Sequence, residues 1–353
     1  MAGISDPPFR ELCGRLGAGL TPSEMVNSDV GLWNSKKSRY RLQRWGERTT
    51  QIVQIAGYDP DMLAEAAARA EQLGAAAIDI NLGCPAKKVC RRQAGSALLK
   101  DPPLIARIFR RVIQCVGVPV TAKIRTGWSP DQRNGVEIAR IAEEQGVAAL
   151  TVHGRTRACK FGGHAEYATI RAIKRAINIP VIANGDIDSA SKAQAVLDYT
   201  GADGIMIGRA ARGQPWIFLD INARLNRAAT DNENLSLFFV RDIIHEHLDS
   251  LYSFYGESTG VRVSRKHLAW YSEYQAGGSC FRERVMTVET AREQLQLTRE
   301  FFDEVAREAE AGRERSRGER SGEDGKQQKN TQEKEEKKGC SREVRHGRQE
   351  PAA

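Results

Sequence analysis

Ala77-Ile78-Asp79-Ile80-Asn81-Leu82-Gly83-Cys84-Pro85 reads as a short strand stopped by a Gly-Cys-Pro turn. Gly83 lets the backbone turn and Pro85 bars further strand pairing, so the Cys84 thiol is presented at the mouth of whatever sheet the strand joins. A cysteine that only fills space more often sits mid-strand. The same rhythm repeats across 18–220: a β-branched run, a turn rich in Gly, Pro, Asn or Asp, then a stretch of helical periodicity. The runs fall at 19–23, 51–55, 77–82, 118–124, 149–153, 181–184 and 204–208. Helical stretches between them include 60–73, 102–116, 135–145, 167–176 and 189–199. Strand and helix alternating at this spacing predict a parallel sheet with right-handed crossovers.

Seven runs do not choose between a barrel, which closes with eight strands, and a doubly wound sheet, which needs fewer. The ends of the runs favour the barrel. Glu24, Gln54, Cys84, Lys123 with Arg125, His153 with Arg155, Asn184 with Asp186, and Arg209 stand at successive C-terminal ends, as a single ring-shaped site requires. Residues 5–16 read as a helix entered through a strand-to-helix loop, so an eighth strand is expected before Met1. The expected fold is α/β, a (β/α)8 TIM barrel without its first strand in this chain, hence open or weakened, followed by a small all-helical domain. Beyond the polar stretch 226–233, apolar residues recur at 237, 240, 244, 248 and 251, and 285–302 repeats the habit with Val288, Leu295 and Phe302. The segment 262–274 between them is basic and aromatic. The expected domains are a barrel over 1–225, a helical domain over 226–306 and a disordered charged tail over 307–353. That tail has one β-branched aliphatic residue, Val344, and no aromatics, too little to offset ordering entropy.

The chain has 353 residues, 41% hydrophobic and 28% charged, the balance of a soluble globular protein with a sizeable core. No apolar run approaches the roughly 20 residues of a membrane helix. The start has neither the basic nor the apolar region of a secretory signal. Seven cysteines without paired spacing suit a reducing compartment, so a cytoplasmic location and free thiols are expected. Formal charge is +8, of which 307–353, with 13 basic and 11 acidic residues, carries +2, leaving +6 on 1–306. That modest excess is compatible with a polyanionic partner and equally with an ordinary enzyme.

Lys123 and Arg125 alternate on one strand and so share a face, two cations on a site-facing side that calls for an anion or a carbonyl group. His153-Gly154-Arg155-Thr156-Arg157 ends the next strand with further donors. Asn184-Gly185-Asp186 and Gly208-Arg209 end the last two strands, where barrel enzymes bind phosphate through glycine-exposed amides. Cys90, six residues after Cys84, raises a metal pair, but no other Cys or His cluster supplies further ligands, so no metal is expected.

Taken together, Met1-Ala2-Gly3-Ile4-Ser5-Asp6-Pro7-Pro8-Phe9-Arg10, Gln54-Ile55-Ala56-Gly57, Asn81 to Val89, Lys123-Ile124-Arg125-Thr126-Gly127-Trp128, His153 to Arg157, Asn184 to Ile187, Ile207 to Ala210 and Arg265 to Tyr271 resemble the tRNA-dihydrouridine synthases, most of all their bacterial B-type branch. The resemblance covers 1 to about 306. It implies FMN-dependent reduction of a D-loop uridine in tRNA to 5,6-dihydrouridine with NADPH as reductant, by a monomer. Hydride from the flavin would reach C6, and Cys84, a thiol protonated at neutral pH, would be the acid that protonates C5. Carried over by position, Met1, Ala2, Gln54, Lys123, His153, Asn184, Gly185, Asp186, Gly208 and Arg209 would hold FMN. Asn81, Arg125 and Arg155 would contact the substrate, and the helical domain, with Arg262, Arg265, Lys266 and His267, would grip the tRNA. Cys90 departs from the asparagine usual in the family, which touches the loop after Cys84 and not the proton donor. Two alternatives stand beside this reading: an FMN-barrel oxidoreductase for a small molecule, as in dihydroorotate dehydrogenases, which the helical domain disfavours, and a tRNA-binding or tRNA-folding protein without catalysis.

Overall fold

Alternating strand and helix segments build a parallel sheet covered by helices. The computed structural model describes residues 1–46, 50–226 and 236–311. In chain order its sheet part holds α1 (Pro7–Arg15), β1 (Val26–Asn27), α2 (Lys36–Leu42), β2 (Ile52–Ala56), α3 (Pro60–Gln72), β3 (Ala77–Leu82), α4 (Lys87–Cys90), α5 (Pro102–Ile113), β4 (Val120–Arg125), α6 (Gly135–Glu144), β5 (Ala149–His153), α7 (Ala168–Ala176), β6 (Val181–Asn184), α8 (Ala190–Thr200), β7 (Gly204–Met206) and α9 (Ile217–Leu225). The helices α10 (Leu237–Tyr255), α11 (Glu257–Tyr271), α12 (Gly278–Thr287) and α13 (291–311) follow. Three helices of the sheet part start alike. Asp6, Asp59 and Asp101 cap α1, α3 and α5 by accepting first-turn amides, and each precedes a proline whose missing N–H costs nothing at that position.

The strands pair in sequence order from β1 to β7, all parallel. Their register positions the site. Asp79 lies beside Thr121; Lys123 lies between Asn81 and Thr151; His153 lies between Arg125 and Asn184. Because side chains alternate across a strand, these polar residues share one face. The intervening residues Ile78, Ile80, Leu82, Ala122, Ile124, Leu150, Val152, Val181 and Ala183 face the helices and are buried in one apolar cluster with α3, α5, α6 and α7. The sheet is thus apolar outward, towards the helices, and polar inward.

The first strand differs from expectation. Within 19–23 only an isolated bridge, Leu20 to Thr50, forms, and the ladder begins at Val26–Asn27. Pro22 has no N–H to offer a ladder, which displaces regular pairing towards the C-terminal side. The stretch 285–302 is also two helices. α12 ends at Thr287 and α13 begins after Thr290, whose hydroxyl accepts the Glu293 amide as a cap. α13 runs to 311, into the segment expected as tail; 312–353 and most of the expected linker at 226–233 lie outside the described residues.

The last four helices enclose a second core of Val240, Ile244, Leu248, Leu268, Tyr271, Phe281, Val285, Leu297 and Phe302. It meets the sheet part through α1: Leu12 and Leu16 pack on Ile243, Arg15 pairs with Glu246, and the Tyr255 hydroxyl donates to Asp6 at 3.0 Å. His267, expected on the tRNA-gripping surface, is instead buried at this junction, its ring 5.5 Å from Phe9 and 4.7 Å from His247. It sits on the inner face of α11, with Leu268 and Tyr271.

Candidate active site

The inward face of the sheet lines one cleft of about 1070 Å³. Gln54, Asn81, Cys84, Lys123, Arg125, His153, Asn184, Gly185, Asp186, Gly208 and Arg209 all border it, with Met1 and Ala2 at the same cleft. Glu24, Arg155, Arg265 and Lys266 do not. Glu24 is buried in an ion pair with Arg41 at 2.8 Å. Arg155, expected at the substrate, is turned into the protein, where it grips Asp186 with two nitrogens and donates to the carbonyls of Gly162 and Gly163. Arg265 donates to the Val288 carbonyl at 2.7 Å and braces the α12–α13 junction. Lys266 donates to the Gly3 carbonyl and borders a separate cavity of about 410 Å³ with Lys36, Lys37 and Arg41.

The Cys84 turn is held from three sides. Asn81 Oδ1 accepts the amides of Gly83 at 3.2 Å and Cys84 at 3.0 Å. Arg125 Nε donates to the Gly83 carbonyl at 2.8 Å, while its Nη1 donates to the carbonyls of Thr156 and Lys160. Ser96 donates its hydroxyl to the Cys84 carbonyl at 2.7 Å, and the Cys90 sulfur lies 3.6 Å from the same oxygen. Gly95 allows this close packing, since a Cβ there would come within 2.9 Å of that carbonyl, and its φ of +63° is one that L side chains rarely adopt. Burial pushes the Cys84 thiol above its ordinary value of 9.0, so it stays protonated across neutral pH. Asn81 and Arg125, expected to touch substrate, therefore also position the thiol.

Opposite the turn lies a polar layer with shared acceptors. Asn184 Oδ1 accepts from Lys123 Nζ and His153 Nδ1, both at 2.8 Å, and Asn184 Nδ2 donates to the Met206 carbonyl at 2.8 Å. An amide oxygen can only accept, so His153 Nδ1 carries the hydrogen. Burial, reinforced by Lys123 and Arg125, holds the His153 pKa down at about 3, so the ring is neutral and Nε2 is a bare acceptor. That atom is buried with no hydrogen-bond partner. Burial also lowers Lys123 to about 8, against the attraction of Asp79, so it is mostly cationic at pH 7. Gln54 links to this layer, donating to Asp79 at 2.7 Å and accepting from Asn81 at 2.8 Å. For Asp186, burial is outweighed by the hydrogen bonds from Arg155 and the Ala165 amide and by the nearby guanidinium groups, which hold its carboxyl below the usual range. Arg209 also reaches it, at 3.2 Å.

The arrangement offers a protonated thiol facing a cationic, donor-rich layer. It suits a polar group that carries negative charge. At Gly208 nothing lies within 4 Å of where a Cβ would be, so its backbone is open to the cleft. No group of three or more His, Cys, Asp or Glu among the described residues could hold a metal. Sequence reasoning missed Asp79, Thr121 and Thr151, which share the inward face. Their signal was present: each lies two residues from a chosen one on the same strand. Phe161, also on the cleft, carried no local signal, whereas Trp270 and Tyr274 belong to the basic and aromatic segment 262–274 and were given no role of their own.

A family model described as dihydrouridine synthase matches residues 1–307. The chain belongs to the dihydrouridine synthase family. Within that family it is similar to the tRNA-dihydrouridine synthase B of Pseudomonas aeruginosa, 55% identical over 304 residues, 86% of this chain and 91% of the relative. The protein of the same name from Pectobacterium carotovorum is 52% identical over 306 residues, 87% of this chain and 95% of the relative. Among solved structures, the old yellow enzyme homologue from Zymomonas mobilis aligns at 17% identity with a TM-score of 0.45, over 63% of this chain and 83% of its own, too distant to carry any argument. No helix among the described residues of this family member is long and apolar enough to cross a membrane.

Proposed function

We propose that this member of the family reduces a D-loop uridine of tRNA to 5,6-dihydrouridine with FMN as cofactor and NADPH as reductant. The observation that carries the proposal is Cys84: a thiol held protonated by burial, on a turn pinned by Asn81, Arg125 and Ser96, beside a cationic cleft. FMN suits the residues present. His153 brings a buried nitrogen without a partner, Lys123 brings positive charge, and Gly208 brings open backbone. Gln54, Lys123, His153, Asn184, Gly185, Asp186, Gly208 and Arg209 are the residues proposed to hold it, with Met1 and Ala2 at the cleft edge. When bound, FMN supplies the hydride that adds to C6 of the uracil.

The chain's own groups do the rest. Cys84 delivers a proton from Sγ to C5, which carries the developing negative charge. Lys123 balances negative charge in the cleft, and its bond to Asn184 fixes the ammonium in place. Asn81 and Arg125 hold the thiol turn and keep one amide hydrogen and Nη2, respectively, for the uracil. The tRNA grip is assigned to cations outside the cleft: Lys266 with Lys36 and Lys37 around the second cavity, and Arg262 on the exposed side of α11. Mass spectrometry of total tRNA from a strain lacking the gene tests the reading. It predicts that one D-loop dihydrouridine, two hydrogens heavier than uridine, reverts to uridine. An unchanged dihydrouridine map in that strain sinks it.

A further inference from the structure

Among the described residues, large aromatic side chains that stay exposed after folding are few: Tyr58, Phe161, Tyr199, Phe239 and Tyr274. Two of these five, Phe161 and Tyr274, border the cleft. Phe161 is 56% exposed and Tyr274 89%, so neither serves the core. Phe161 lies in the loop after β5, between two anchored guanidinium groups: Arg125 at 5.6 Å and Arg209 at 5.3 Å from its ring centroid. Arg125 is fixed by three carbonyls and Arg209 by Asp186, so the ring is placed and still open.

Tyr274 comes from the other half of the molecule, three residues beyond α11. The end of α11 just before it is packed on the sheet part. Gly213, at φ +75°, brings the loop after β7 so close that a Cβ there would stand 2.4 Å from the Trp270 carbonyl. The Arg212 guanidinium lies 5.0 Å from the Trp270 ring. The Tyr274 hydroxyl makes no hydrogen bond among the described residues, leaving the ring as what the residue offers. Exposed π faces interleaved with guanidinium groups at the edge of a cleft are the composition of a single-stranded nucleic-acid surface, since every base has a face to stack. A flipped base also leaves its unstacked neighbours needing new partners.

We propose that Phe161 and Tyr274 are stacking residues for unpaired bases flanking the reacting uridine, one contributed by the sheet part and one by the helical part. The inference rests on the dihydrouridine reading and specifies how that site positions its RNA. The test uses the FMN-loaded full chain with Phe161→Ala, Tyr274→Ala and the conservative Phe161→Tyr and Tyr274→Phe. Each alanine variant is expected to raise KM for tRNA about tenfold with kcat little changed. Flavin content and NADPH oxidation should stay at the parent level, and the conservative variants should behave as the parent. Transcripts carrying 2-aminopurine at successive D-loop positions read stacking directly, whether or not any base is reduced. Quenching on binding should be lost in the alanine variants and kept in the conservative ones. Unchanged KM and quenching in both alanine variants, or Tyr274→Phe as impaired as Tyr274→Ala, overturns the proposal. A parent that quenches the probe yet forms no dihydrouridine leaves the stacking intact and removes the functional reading instead.

Discussion

The thiol of Cys84 is useful in this reading because it keeps its proton. Replacing it with alanine should lower dihydrouridine formation by about 10²- to 10⁴-fold, the range of a lost general acid, while tRNA binding and flavin content persist. Single-turnover assays alongside filter binding separate the two. The pH profile carries its own expectation. Burial raises the thiol above its ordinary value of 9.0, and only the protonated form donates, so the alkaline fall in rate should lie above pH 9. A fall centred near neutrality in the parent would assign the proton to another group. Lys123 approaches its own value of about 8 from the charged side. Its contribution to holding an anion should therefore weaken first, as poorer flavin retention above pH 8.

Elements hold these residues in place, and their junctions are where single changes do the most harm. Gly213→Ala would force a side chain into the Trp270 carbonyl at a φ that alanine resists, so the contact between the β7 loop and α11 must give way. A loss of about 1–3 kcal/mol is expected, readable as a lower thermal midpoint. Beneath the same contact region lie His247 and His267, both buried. Burial holds His247 down at about 3 from the ordinary 6.5 and lowers His267 well below its usual value. With His153 also near 3, the unfolded chain binds protons between pH 6.5 and about 3 that the folded chain refuses, so stability falls as pH drops through that window. Asp6, raised by burial to about 6, opposes this by taking a proton when folded, as do Asp79 and Asp220, which burial also raises, while His245, lowered by burial, adds a fourth ring to the histidine side. The thermal midpoint should decline from pH 7 to pH 5; a flat profile would show that these rings titrate normally.

Most strands were legible because β-branched runs and Pro or Gly punctuation are local signals; β3, β5 and β6 lie where the runs put them. β1 was misplaced because Pro22 acts through a ladder partner that a single stretch does not reveal. At the site, residues at strand ends were legible as a group, whereas the inward turn of Arg155 was not. It depends on Asp186, which is remote in sequence and meets it only when β5 and β6 are side by side.

At the scale of the whole molecule, two cores meet around one polar cleft, and a chain of charge +8 presents it. Binding of a polyanion should follow counterion release. Raising monovalent salt from about 50 to about 200 mM should weaken tRNA affinity at least about tenfold, with neutralised phosphates setting the slope. An affinity indifferent to salt would argue for a neutral substrate and the small-molecule alternative. The strand register has a further consequence for how such a gene can change length. Lys123, Asn81 and Asn184 meet only because neighbouring strands are aligned residue for residue, so one extra codon inside β4 would exchange its two faces beyond that point, sending the cations among the helices and apolar residues such as Ile124 into the cleft. Insertions and deletions that survive selection should therefore cluster in the connections, leaving the reading frame of each strand invariant in length.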